Sequence, residues 1–159
     1  MNHRSLKYRK GFTLVELIVV IILVAIISIF AVSRFTGGSS YRLPVIQEQT
    51  ISVIRQIQLG RMQSNVADLD DLSPFYRLML TQHCLGAQSF CSNPASSDDI
   101  SAAVFTEDIR FSPLTTLLDF DLLGRPSISP FAITLTDSAG NTAHICIEAE
   151  GYIRKGRCS

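Results

Sequence analysis

The sequence predicts an α+β fold, in which a long hydrophobic N-terminal helix continues into an amphipathic helix packed on an antiparallel β-sheet. Three observations predict it. The apolar run from Leu14 to Val32 holds one ionisable residue, Glu16. From Val45 to about Asn65, apolar residues recur at helical spacing. The remainder breaks into short apolar runs parted by turn signals, and a helix followed by a series of strands indicates α+β. The length, 159 residues, allows one ordinary domain. Fourteen basic side chains balance fourteen acidic ones, so the basic excess of a typical nucleic-acid binder is missing. Hydrophobic content of 47% and a mean hydropathy of +0.26 reflect mainly the N-terminal block.

Residues 1–11 carry Arg4, Lys7, Arg9 and Lys10 and no acid. From Leu17 to Ser33 there is then no charge, proline or glycine. Nineteen helical residues span roughly 28 Å at ~1.5 Å each, about the thickness of a bilayer's hydrocarbon core. The block is apolar all round, so it has no polar face for a soluble surface. A cleaved secretory signal would have a shorter apolar region and a small-residue cleavage site, to which Ser33-Arg34-Phe35 is a poor match. A plain signal anchor explains the length and the basic flank but not Glu16. A carboxylate at mid-bilayer costs ~2.5–3.5 kcal/mol and usually has a partner. The bland account is that Glu16, five residues past Gly11, reaches the headgroups.

Lys10-Gly11-Phe12-Thr13-Leu14-Val15-Glu16, after a short basic leader, resembles the prepilin signature of type IV pilins and type II secretion pseudopilins. The resemblance implies cleavage by a prepilin peptidase between Gly11 and Phe12, and N-methylation of Phe12. It implies a helix that is kept as the packing core of a filament. Loss of the four leader cations leaves ten basic against fourteen acidic side chains, a net of −4. The new α-amino group of Phe12 is a cation at the end of an apolar helix, with Glu16 about one turn away. In a bundle of staggered copies, Glu16 of one subunit can pair with the Phe12 amine of its neighbour. Each buried charge then has a partner, and the pair fixes axial register. Before assembly, the basic leader holds the N-terminus in the cytoplasm. Many pilins have a helix-kinking proline where this chain has Ser33, so the helix runs straighter or breaks later, at Gly37-Gly38.

Thr36-Gly37-Gly38-Ser39-Ser40 reads as a loop-like breaker, and Pro44 fits the first turn of a new helix. Its packed face is Ile46, Thr50, Val53, Ile54, Ile57 and Gly60, with Gln47, Glu48, Arg55, Gln56 and Gln58 on the other faces. Asp68, Asp70 and Asp71 lack the spacing, glycine turn and terminal Glu of a Ca²⁺ loop and read as a solvated loop. Strands are predicted at Phe75–Thr81, Val104–Phe105, Ile109–Phe111, Leu117–Leu122, Phe131–Thr136, Ala143–Ala149 and Tyr152–Arg154. Asp137-Ser138-Ala139-Gly140-Asn141 is a hairpin connection.

Two further patterns extend the resemblance. Phe120-Asp121-Leu122-Leu123-Gly124-Arg125-Pro126 resembles the strand-to-turn segment of GspH-group minor pilins and pseudopilins. Ile145-Cys146-Ile147, Gly151-Tyr152-Ile153-Arg154 and Cys158 resemble their closing hairpin. The stretch 49–65 resembles minor pilins of the mannose-sensitive haemagglutinin (MSHA) type IV pilus.

Four cysteines suit two bridges in an oxidising periplasm and allow three connectivities. Cys84–Cys91 and Cys146–Cys158 are favoured because each pair brackets a turn; the second resembles the C-terminal disulfide loop of many pilins. A metal could draw on His83, Cys84, Cys91, His144 and Cys146, but there is no CxxC pair, and no metal or cofactor is expected. Neither a GxSxG nor an HExxH motif is present, Asp119 and Asp121 read as a solvated strand face, and no enzyme activity is expected.

The resulting expectation has a leader at 1–11, a transmembrane and filament-core helix at 12–34, and a periplasmic or extracellular head at 35–159. The function implied is structural, in pilus biogenesis and adhesion. The implied partners are major and minor pilins, the prepilin peptidase and an inner-membrane assembly platform, with the chain in the inner membrane before it joins the surface fibre. A type II secretion or competence pseudopilin is the nearest alternative. A signal-anchored periplasmic binding domain is the alternative of another class.

Overall fold

The computed structural model describes residues 12–35, 38–93, 102–114 and 116–159, without the side chains of 29–40. The leader, Gly11 included, and Thr36-Gly37 of the expected breaker lie outside the described residues. The chain divides into two units, Met1–Ser39 and Ser40–Ser159.

In the first unit, helix α1 runs Leu14–Phe35 over 22 residues. Its start is capped by Thr13, whose Oγ1 accepts the Glu16 N–H at 3.3 Å while its carbonyl accepts the Leu17 N–H. Ser28 turns its hydroxyl back onto the Val24 carbonyl at 2.7 Å, so this polar group is satisfied within the helix. The backbone remains helical through Ser33. Among the described residues, no helix is long and apolar enough to cross a membrane; the described side chains of α1 end at Ser28.

Helix α2 runs Gly38–Gln63. The expected breaker therefore does not extend over Gly38, Ser39 and Ser40. Pro44 lies inside the helix and not in its first turn. Backbone hydrogen bonding continues on both sides of the proline, which removes one donor without ending the helix.

In the second unit, a 3-10 turn at Pro74–Tyr76 precedes β1 (Leu78–Leu80), β2 (Cys84–Ala87) and the short helix α3 (Gln88–Ser92). Then come β3 (Ala103–Phe105), β4 (Ile109–Ser112), β5 (Thr116–Leu118), β6 (Phe131–Asp137), β7 (Thr142–Ile147) and β8 (Ile153–Lys155). The strands form two four-stranded sheets, β3-β2-β1-β5 and β4-β6-β7-β8, in place of the single sheet expected. Every pairing is antiparallel.

The predicted strand at Phe75–Thr81 shortens because Pro74 lacks a ladder donor and Ser73 caps a 3-10 turn there. That at Leu117–Leu122 shortens because Asp121 turns the chain: its Oδ1 accepts the N–H groups of Leu123 and Arg125. Asp137 uses the same device on Ala139 and Asn141 at the β6–β7 hairpin. The Asn141 amide is the main cause holding the Asp137 carboxyl below its usual value.

One core joins α2 to both sheets through Ile51, Ile54 and Ile57 with Leu78, Leu85, Phe111, Ile133 and Ile145, among others. Gly86 is fixed by close approach, since a Cβ there would overlap Ala103 of the neighbouring strand. Disulfides join Cys84 to Cys91 and Cys146 to Cys158, tying β2 to α3 and β7 to the C-terminal tail.

Candidate assembly helix and head surfaces

The described side chains of α1 form an exposed apolar surface. Phe12 is 84% exposed, and Leu14, Val15 and every Val, Ile and Leu from Leu17 to Ile27 are exposed too. A continuous apolar surface of this kind needs lipid or protein to cover it. Glu16 lies in the first turn and is exposed. It sits at the third helical position, so Thr13-Leu14-Val15-Glu16 is also a capping box in spacing. This local role is one that sequence reasoning missed, although Thr-x-x-Glu before an apolar run is its signature. A carboxylate in the first turn also favours the positive end of the helix dipole.

In the head, α2 meets the sheets through apolar and polar contacts together. The buried side chains include Leu43, Thr50, Ile51, Val53, Ile54 and Ile57; Gly60 is half-buried and leaves room for the Tyr76 ring. Among the described residues, four polar residues of α2 donate to backbone carbonyls outside the helix. Gln47 reaches the His144 carbonyl at 2.8 Å, and Arg55 that of Ile153 at 3.0 Å. Gln58 bridges the carbonyls of Gly124 at 2.6 Å and Gly151 at 2.8 Å. Arg61 reaches Phe120 at 2.9 Å. Gln47, Arg55 and Gln58 were expected on faces other than the packed one; Gln47 and Gln58 are half-buried against the sheet side, while exposed Arg55 reaches it from the rim. Polarity alone marked them as lying off the packed face, whereas carbonyls of the strands (His144, Ile153) and of two turns (Gly124, Gly151) lie within their reach.

The Gln58 bridge joins the two segments that carry the GspH-group resemblance. Gly124 and Gly151 have φ of +82° and +83°, and a Cβ on Gly151 would overlap the Gly124 carbonyl. Both glycines are thus required by backbone geometry, and the two turns are held side by side by one helical glutamine.

A groove of about 790 Å³ runs along α2, lined by Ile51, Arg55, Leu59, Phe75 and Phe90 among others. Phe75 meets Phe90 edge-on at 5.1 Å. Among the described residues, no group of three or more His, Cys, Asp and Glu side chains is placed to hold a metal. His83 Nδ1 faces the Thr106 carbonyl, His144 Nδ1 faces the Thr134 hydroxyl, and the four cysteines are spent in disulfides. Asp119 is not a free strand-face acid: Arg77 binds it through two bonds of 2.8 and 2.7 Å, and this pairing chiefly raises the Arg77 pKa. Asp68 accepts the Asp70 N–H in an exposed turn.

Residues 6–32 match the family model described as the prokaryotic N-terminal methylation motif. That motif supports a type IV pilin-like protein, of a pilus or a pseudopilus. No curated protein matches the chain, and neither does any solved structure. The matched stretch includes Phe12 and Glu16 and the exposed apolar side chains of α1 up to Ile27. Pilin-like proteins of this kind are generally structural and assemble with other pilins after processing by a prepilin peptidase.

Proposed function

We propose that this chain is a minor pilin of a type IV pilus, most like those of the MSHA pilus, with a GspH-like head. It is made as an inner-membrane prepilin with a cytoplasmic N-terminus, cut between Gly11 and Phe12, methylated on Phe12, and passed by the assembly platform into a surface fibre. Glu16 sets subunit register against the Phe12 amine of a neighbour, and the fibre serves adhesion. The observation that carries this reading is the methylation motif at residues 6–32 lying over an apolar helix whose described apolar side chains are exposed. A disulfide-tied head with its polar turns satisfied suits a subunit exposed outside the cell.

The test is co-purification with sheared surface filaments from cells with and without the prepilin peptidase. The chain should enter the sheared fraction only when the peptidase is present. Retention in the membrane in both strains would favour an anchored binding domain. Recovery with periplasmic pseudopili and not with surface fibres would favour the secretion pseudopilin.

A further inference from the structure

The short helix α3 is held to the head against an opposing cost. Among the described residues, two side-chain polar atoms are sealed from solvent without a hydrogen-bond partner, Gln88 Oε1 and Ser89 Oγ, and both belong to α3. A sealed polar group without a partner is destabilising, and each of these would find water if α3 left its seat. The N-cap, Ala87, offers the first turn no side-chain acceptor. A helix of five residues has no stability of its own, so α3 exists only while it is docked.

Three contacts oppose that cost. Phe90 enters the core at 8% exposure and meets the Phe75 ring edge-on. Ser92 Oγ donates to Met79 Sδ at 3.4 Å, and a thioether is a weak acceptor. The Cys84–Cys91 disulfide ties the helix to β2. Of the three, the disulfide alone can be withdrawn by a chemical reaction. Its two ends differ. Cys84 is 5% exposed and lies in β2, which is paired with β1 on one side and β3 on the other and so keeps its place without the bridge. Cys91 is half-buried and lies in α3. Loss of the bridge therefore falls on α3, and Cys91 is the more accessible end for attack.

We propose that α3 is a redox-latched flap, docked while Cys84 and Cys91 are joined and released when a dithiol reduces them. One thiolate of the dithiol attacks Cys91 Sγ; the Cys84–Cys91 bond breaks, and Cys84 leaves as a thiolate that takes up a proton. The second thiolate of the reductant then displaces Cys91 Sγ, which also takes up a proton, and the reductant closes its own disulfide. The chain gains two electrons and two protons. Release withdraws Phe90 from the groove along α2, which it lines together with Phe75, so the latch controls the shape of that groove. The device acts within the head and does not require that the chain join a fibre.

The test is amide hydrogen exchange on the full chain in detergent micelles, comparing peptides over residues 88–92 with peptides over β6 and β7. Replacement of the bridge by Cys84→Ala with Cys91→Ala should speed exchange at 88–92 by roughly tenfold or more relative to β6 and β7, about 1.4 kcal/mol. Dithiothreitol added to the native chain should reproduce that rise. Gln88→Met removes one sealed acceptor at similar size and helix propensity. It should slow exchange at 88–92 by roughly tenfold, with the bridge or without it. Gln88→Met in the bridged chain probes the opposing cost with the latch intact, so the reasoning is tested even if the bridge-less chain folds poorly. Unchanged exchange at 88–92 on loss of the bridge, or a rise shared equally by β6 and β7, would overturn the proposal. So would unchanged or faster exchange in bridged Gln88→Met, the result expected if an enclosed water already satisfies Gln88 Oε1.

Discussion

Replacing Glu16 with Gln separates two roles that the same carboxylate can play. In α1 the Thr13 hydroxyl caps the Glu16 N–H at 3.3 Å, and Glu16 occupies the capping-box position. Glutamine serves that position equally, so the helix start should survive the change. Thr13→Ala removes the cap and leaves the charge, at a cost of ~1 kcal/mol to the helix. If Glu16 pairs with the Phe12 amine of a neighbouring subunit, Glu16→Gln leaves that amine buried without its counter-charge. Breaking one side of a buried pair costs ~3–5 kcal/mol, more than a hundredfold in incorporation at ~1.4 kcal/mol per tenfold. Glu16→Gln should therefore insert, be cleaved and fold, but fail to enter filaments, whereas Thr13→Ala should lower incorporation only several-fold. The assay compares filament and membrane fractions from the same cells, probed for this subunit. Normal incorporation of Glu16→Gln would refute the register role and leave Glu16 a capping or headgroup residue.

Three predictions concern the head. Reduction of the Cys146–Cys158 bridge, which closes a separation of 12 residues, should cost ~2–3 kcal/mol in urea unfolding; an unchanged midpoint would contradict its structural weight. Gly151→Ala and Gly140→Ala both place a side chain at positive φ, ~1–2 kcal/mol each, but only Gly151 also faces the Gly124 carbonyl, so Gly151→Ala should lose clearly more stability. Equal losses would deny the close approach of the two turns. Asp121 and Asp137 have folded-state pKa values below their unfolded ones, so their stabilising contributions are complete above about pH 4–5 and lost as pH falls through the folded values. The double variant Asp121→Asn, Asp137→Asn should flatten the stability curve below about pH 4, and an unaltered acid limb would show that these turns do not contribute.

The parts legible in the sequence are those set by strong local signals. Strands β3, β4, β6 and β7 follow from alternating or β-branched runs beside turn residues, and their predicted bounds differ from the observed ones by at most two residues. Helix α2 was legible from its apolar spacing, with its N-terminal bound misjudged because glycine and serine at 38–40 read as loop. Strand β2 and helix α3 were not legible. Cys84-Leu85-Gly86-Ala87 is short and carries a glycine, which weakens the strand signal, and its glycine is there to admit Ala103 from β3. The split into two sheets was likewise hidden, because strand pairing depends on contacts far apart in sequence. The polar clamps of α2 were invisible for a similar reason: Gln58 looks solvated until Gly124 and Gly151 are brought to it. At the N-terminus the position was reversed. The prepilin signature was plain in the residues, while the capping box within it was overlooked.

The central claim, that the apolar helix is retained and begins at a processed Phe12, is tested most directly by intact mass and N-terminal sequencing of the chain recovered from purified filaments. The account predicts a mature chain that begins at Phe12, carries a methyl group on its α-amine and keeps both disulfides. A mature chain beginning near Phe35, or one still beginning at Met1, would contradict it.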